Sequence, residues 1–185
     1  MNIKLNITCL ALIAMIATGC GGNDKQEVKT IIAKKTEEKA PTAPIRMQEY
    51  NQQISPEWNG KKVNVDIKRT ADESLPMVKD ENGQEFIDNT ITLSVTTAEG
   101  KDIFKKTFTK TAFNQYIGED YRKGGILEGI VFDKPSGKEL RFAASVCLPQ
   151  SDEYMPLLIY ISPRGTMRIE HDTQIDSGDD DEEMM

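Results

Sequence analysis

Three stretches of strict alternation hold this chain to a β architecture. From Lys62 to Arg69, Val63, Val65 and Ile67 share one parity and Asn64, Asp66 and Lys68 the other. Between Gln84 and Thr97, Ile87, Ile91, Leu93 and Val95 alternate with Thr90, Thr92, Ser94 and Thr96. Leu140, Phe142, Ala144, Val146 and Leu148 alternate with Arg141, Ala143, Ser145 and Cys147. Successive side chains of a strand point to opposite faces, so each stretch reads as a strand with one buried and one wet face.

Shorter runs extend the pattern. Ile103 to Phe108, Leu157 to Ile161 and Met167 to Glu170 are further strands. Ile126 to Asp133 is dense enough in apolar residues to suggest burial on both faces, and Pro76 marks Leu75 to Lys79 as an edge piece. Asn59-Gly60, Asn82-Gly83, Glu99-Gly100, Ser136-Gly137 and Arg164-Gly165 supply turns between them. Serial hairpins imply antiparallel pairing. Phe113, Tyr116 and Ile117 at i, i+3, i+4 predict one short helix near 110–118, with Gly118 as its C-cap and Thr109 or Thr111 at its start. The expected fold is mainly β: an antiparallel meander of about seven to nine strands, curled into a small barrel or sandwich to hide its edges.

The start of the chain has a different logic. Lys4 precedes a nearly unbroken apolar run from Leu5 to Ala17, then Thr18, Gly19 and Cys20. The run is shorter than the ~20 residues that a spanning helix needs. A charged start, a short apolar run and small residues before a cut site describe a secretory signal. With cysteine at the cut, it resembles a bacterial lipoprotein signal, in which lipid is placed on Cys20. The expected organisation is a signal peptide over 1–19, a flexible tether over 20–56, a β-domain over 57–171 and a disordered acidic tail over 172–185. Within the tether, Met47, Tyr50 and Ile54 form a weak apolar set able to dock onto the domain. Gly21 is not the Asp of the usual inner-membrane retention signal, so the expected location is the outer membrane of the cell envelope.

Charge and residue inventory narrow the function classes. The chain has 30 acidic and 23 basic residues, but the stretch from Asp172 onward carries seven of the acids and has no Lys or Arg. The remainder is close to neutral and offers no basic face for nucleic acid. Once Cys9 leaves with the signal and Cys20 carries lipid, Cys147 stands alone and no intrachain disulfide is available. One His and one remaining Cys do not make a zinc set. The acidic tail mimics a calcium loop, but Ser177 stands where that loop needs Gly. Cys147 with His171 is the one thiol–base pair to consider, and a strand cysteine is more often a small buried apolar group. Glu119-Asp120 and Asp152-Glu153 read as solvated loop acids rather than glycosidase carboxylates. No catalytic residue, cofactor or metal ligand is assigned.

The segments Trp58-Asn59-Gly60, Leu75-Pro76, Asp88-Asn89, Phe108-Thr109-Lys110, Leu127-Glu128-Gly129 and Ser151-Asp152-Glu153-Tyr154, in this order, resemble a family of small Bacteroidetes envelope lipoproteins known as a domain of unknown function. The resemblance covers roughly 56–172 and implies a lipid-anchored envelope protein; it brings no substrate or catalytic residue. The expected function is a non-catalytic binding module, joined to the membrane by the lipid on Cys20, for a protein, glycan or small molecule. The alternative is an assembly subunit of an envelope complex, with a hydrolase third. The expected recognition surface is Thr109 to Gly125 with Gln150 to Tyr154, through Tyr116, Tyr121 and Tyr154. Trp58, the only tryptophan, is either a ligand platform or an anchor closing one end of the sheet.

Overall fold

The computed structural model describes residues 42–173; the signal peptide, Cys20, the first part of the tether and the acidic tail from residue 174 onward lie outside the described residues. In chain order the strands are β1 (Tyr50–Ile54), β2 (Glu57–Trp58), β3 (Lys61–Ala71), β4 (Val78–Lys79), β5 (Glu85–Phe86), β6 (Asn89–Thr97), β7 (Asp102–Phe108), β8 (Ile126–Ser136), β9 (Glu139–Cys147), β10 (Tyr154–Ile161) and β11 (Met167–His171). Between β7 and β8 lie a 3-10 turn, Lys110–Phe113, and one α-helix, α1 (Glu119–Gly124).

Every strand pairs antiparallel, in two meanders. One sheet has the order β1-β3-β6-β7, with β2 beside the start of β3; the other has the order β11-β10-β9-β8; β4 and β5 form a separate hairpin. The alternation explains how the sheets meet. Val65, Ile67, Leu93 and Val95 from the first and Leu140, Phe142, Val146 and Ile159 from the second are all buried in one core. The sheets pack as a sandwich and do not close into a barrel.

The edges are managed by side chains. Lys106 stands opposite Leu93 and so on the inward parity of β7, where it remains exposed with its ammonium 5.1 Å from the Phe108 ring. An inward charge on an edge strand opposes pairing with another chain. β8 carries two bulges and Pro135. At that seam the Phe132 amide donates to Gln52 Oε1 at 3.3 Å, and Arg69 donates to the Glu128 and Gln48 carbonyls. These bonds satisfy backbone groups that a cut sheet would leave open.

Several expectations are corrected in detail. The segment expected as tether up to 56 is built into the fold from Ile45 onward: Ile45 bridges Phe86, and β1 pairs with β3 along its whole length. The stretch 84–97 is two strands, because the chain turns at Ile87–Asp88 to bury the Asp88 carboxylate. Burial on both faces of 126–133 holds at Ile126 and Leu127 and lapses by Val131, which is 40% exposed. The predicted helix is displaced. Phe113 and Ile117 are buried as the spacing requires, but a 3-10 turn and an irregular link present them to the core, and Gly118 caps the start of α1 rather than the end of an earlier helix. Thr109 takes the N-cap position of the 3-10 turn, but its hydroxyl bonds Thr111 at 2.6 Å and makes no side-chain cap bond.

Candidate functional site

Antiparallel strands send alternate connections to opposite ends of the sandwich. One end gathers the turns at 59–60, 98–101, 137–138 and 162–166. The other gathers 72–88, 109–125 and 148–153, and both described chain ends leave there: Ile45 beside Phe86, and Asp172 just after β11.

At this second end a cleft of about 660 Å³ opens between the β4–β5 hairpin, α1 and the 148–153 loop. Its walls are locally stiffened. Asp80 Oδ1 accepts from the Asn82 and Gln84 amides at 2.9 Å each, closing the hairpin tip. Ser151 Oγ accepts from the Glu153 amide at 3.1 Å, and the Leu148 amide donates to the Glu153 carbonyl at 3.0 Å. Asp80, Glu81, Asp120 and Glu153 line the space with Lys79 and Lys123. Both lysines are engaged, with Glu85 and Glu119 respectively, so the net field in the cleft is negative. Tyr121 stands in this wall; burial, then Glu153 and Asp120, push its phenol pKa upward and hold the hydroxyl protonated as a donor.

The same end of the sandwich holds a buried polar knot. Asp88 Oδ1 accepts from the Leu127 amide at 2.7 Å and the Asn89 amide at 2.8 Å, and Asn89 Nδ2 donates to the Leu127 carbonyl at 2.9 Å. Lys110 Nζ is 3.9 Å from Asp88 Oδ2 and donates to the Gly125 carbonyl. Burial raises the Asp88 pKa against the pull of the two amides and Lys110, and the same burial lowers Lys110. The knot ties the bend before β6, the 3-10 turn and the start of β8 into one unit. Among the described residues, no group of three or more His, Cys, Asp or Glu could hold a metal ion.

Cys147 and His171 are engaged separately. Cys147 packs beside a small apolar cluster of Val78, Phe86 and Ile126, and burial, with Glu128 next, pushes its thiol up to about 11. The His171 ring meets Tyr116 edge-on at 6.1 Å. Of the residues expected to make a recognition surface, Tyr121 lines the cleft, Tyr154 is 44% exposed at the start of β10, and Tyr116 lies against His171. Trp58 belongs to the opposite end. It is 4% exposed, with Nε1 donating to the Lys138 carbonyl at 3.0 Å, which is the geometry of an anchor joining the two sheets. The four residues therefore do not form one surface. The knot was not anticipated, although Asp-Asn interrupting a period-two strand is a readable sign of a buried bend.

Three of the short segments noted above, Asp88-Asn89, Phe108-Thr109-Lys110 and Leu127-Glu128-Gly129, converge on this knot. A family model described as "Domain of unknown function (DUF4738)" matches residues 30–169. The chain belongs to this family. No curated protein matches it. The DUF4738 match begins upstream of β1, so the family's unit takes in strand β1 and the bridge at Ile45. Among the described residues of this DUF4738 protein, no helix is long and apolar enough to cross a membrane.

Proposed function

We propose that the protein is a bacterial envelope lipoprotein of the Bacteroidetes type, held to the outer membrane by lipid on Cys20. Its β-domain acts as a non-catalytic binding module that takes its ligand or partner in the acidic cleft beside Tyr121. The observation that carries the reading is that cleft: three short connections on a rigid sandwich border a half-open space of about 660 Å³, within the size range of ligand sites. Its carboxylates outnumber its cations, and both cations are already paired, so a ligand with a cationic group fits it best. The anchor rests on the apolar run ending in Ala17-Thr18-Gly19-Cys20. Tethering there raises the effective concentration of the domain near membrane targets.

Two experiments test the two halves. Cys20→Ser should abolish fatty-acid labelling and release the protein from the membrane fraction; continued labelling would end the lipoprotein reading. Tyr121→Phe, which keeps the ring packed on the core, and Asp120→Asn should leave the melting temperature unchanged yet reduce recovery of the cross-linked ligand from membranes. Equal recovery by both variants would move the site elsewhere. A role as an assembly subunit is the second reading, favoured by Ile45 and Met77, which are 42% and 44% exposed beside the β4–β5 hairpin. Ile45→Ser with Met77→Ser should then dissociate the complex while leaving the Tyr121 cleft competent.

A further inference from the structure

The end of the sandwich opposite the one from which the described chain leaves carries a second and larger cleft, of about 920 Å³, bounded by the β2–β3, β6–β7 and β10–β11 turns. Its floor is apolar, formed by Trp58, Val63 and Ile103. Lys61, Lys62, Lys101 and Arg164 converge on it from those three turns, against two carboxylates, Glu99 and Asp102. Elsewhere in the described residues, six cations are held in ion pairs: Arg46, Lys79, Lys110, Lys123, Arg141 and Arg168. None of the four around this cleft makes one. Four cations against two carboxylates leave a formal excess of two positive charges around the cleft. Glu99 is held first by the Thr97 side chain and its own backbone, with Lys61 a weaker influence.

The geometry presenting Arg164 is rigid. Ser162 Oγ and Thr166 Oγ1 bond at 2.6 Å, the Gly165 amide donates to the Ser162 carbonyl at 2.9 Å, and the Arg164 amide donates to Ser162 Oγ at 3.3 Å. The turn is pressed against β7 so closely that a Cβ on Gly165 would lie 2.3 Å from the Ile103 carbonyl oxygen. A guanidinium on a fixed turn offers a planar fork of donors to phosphate or carboxylate, and the three lysines add point charges around it. An excess of one sign of charge in a concave site focuses a potential of that sign, here positive.

We propose that this cleft binds a small multivalent anion, a ligand bearing two or more phosphate or carboxylate groups. The site is independent of the Tyr121 cleft. In a chain held by its N-terminal side, it is carried at the end of the domain opposite the one from which the described chain leaves.

Trp58 makes the test specific, because the only tryptophan in the chain lies in the floor of this cleft. The purified full chain is titrated with inorganic pyrophosphate, with citrate and with neutral sucrose, following Trp58 emission and heat of binding. Saturable binding of pyrophosphate or citrate with Kd below about 1 mM, and none of sucrose, is expected. Binding of pyrophosphate alone assigns phosphate carriers, and binding of citrate alone assigns carboxylates. Lys62→Glu with Arg164→Glu should weaken binding at least about tenfold, and affinity should fall as salt rises. Lys68→Glu, a charge reversal outside the cleft, should leave affinity and melting temperature unchanged. No saturable signal up to about 10 mM of either anion would overturn the proposal. So would equal weakening by Lys68→Glu, which would mean diffuse attraction rather than a site.

Discussion

Removing the ammonium of Lys110 probes the knot that joins the bend before β6, the 3-10 turn and β8. In Lys110→Met the side-chain volume is nearly kept and the charge is lost. The Gly125 carbonyl loses its donor, a buried deficit of about 1–3 kcal/mol. Asp88 loses its only counter-charge in the knot, 3.9 Å away, but keeps the Leu127 and Asn89 amides. Breaking a buried pair costs about 3–5 kcal/mol in general. The long separation and the two retained amide bonds place this case at the lower end, about 3 kcal/mol at pH 7.5. The loss should depend on pH. Burial already raises the Asp88 pKa, and without Lys110 it rises further. In the window between the unfolded value of 3.8 and the raised folded value, the folded state binds more protons than the unfolded one. Stability contributed by this group therefore increases as pH falls through that window. Lys110→Met should recover part of its deficit at pH 4.5, where Asp88 gains protons. Urea unfolding followed by Trp58 emission measures both values. A loss below about 1 kcal/mol at pH 7.5, or one of equal size at both pH values, would refute the reasoning. Adding Asp88→Asn should restore part of the stability at pH 7.5, because an amide oxygen still accepts from Leu127 and no charge is left unpaired.

Leu93 is fully buried at the centre of the first sheet, so Leu93→Ala should cost about 2–5 kcal/mol in the same assay. Gly165→Ala should cost about 2–4 kcal/mol, since φ is +75° and the new Cβ meets the Ile103 carbonyl at 2.3 Å; Gly60→Ala, at φ +74° with nothing within 4 Å, should cost only about 1–2 kcal/mol. Lys106→Val should leave the monomer folded but shift sedimentation toward dimers or larger species, because it removes the inward charge from edge strand β7. The Cys147 thiol, with its pKa at about 11, should react with iodoacetamide slowly at pH 7.5 in the folded chain and faster in concentrated urea.

The antiparallel β class was legible because period-two alternation is local. Whether Val63, Ile67, Leu93 or Phe142 faces inward is decided by the parity of its own strand, and the Asn-Gly turns announce reversals between neighbours. The apolar set Met47, Tyr50 and Ile54 likewise pointed to a docking segment, though not to a paired strand, since β1 gains its place only from the hydrogen bonds of β3. What tertiary structure decided are the contacts between residues far apart in sequence. The Trp58 indole finds its acceptor 80 residues away, and Arg69, on the inward parity of β3, finds the Glu128 carbonyl across the seam. No local pattern encodes such a partner. The same holds for both clefts: Lys62, Lys101 and Arg164 are unremarkable residues in or beside turns of the chain, and become neighbours only because antiparallel pairing brings three turns to one end of the sandwich.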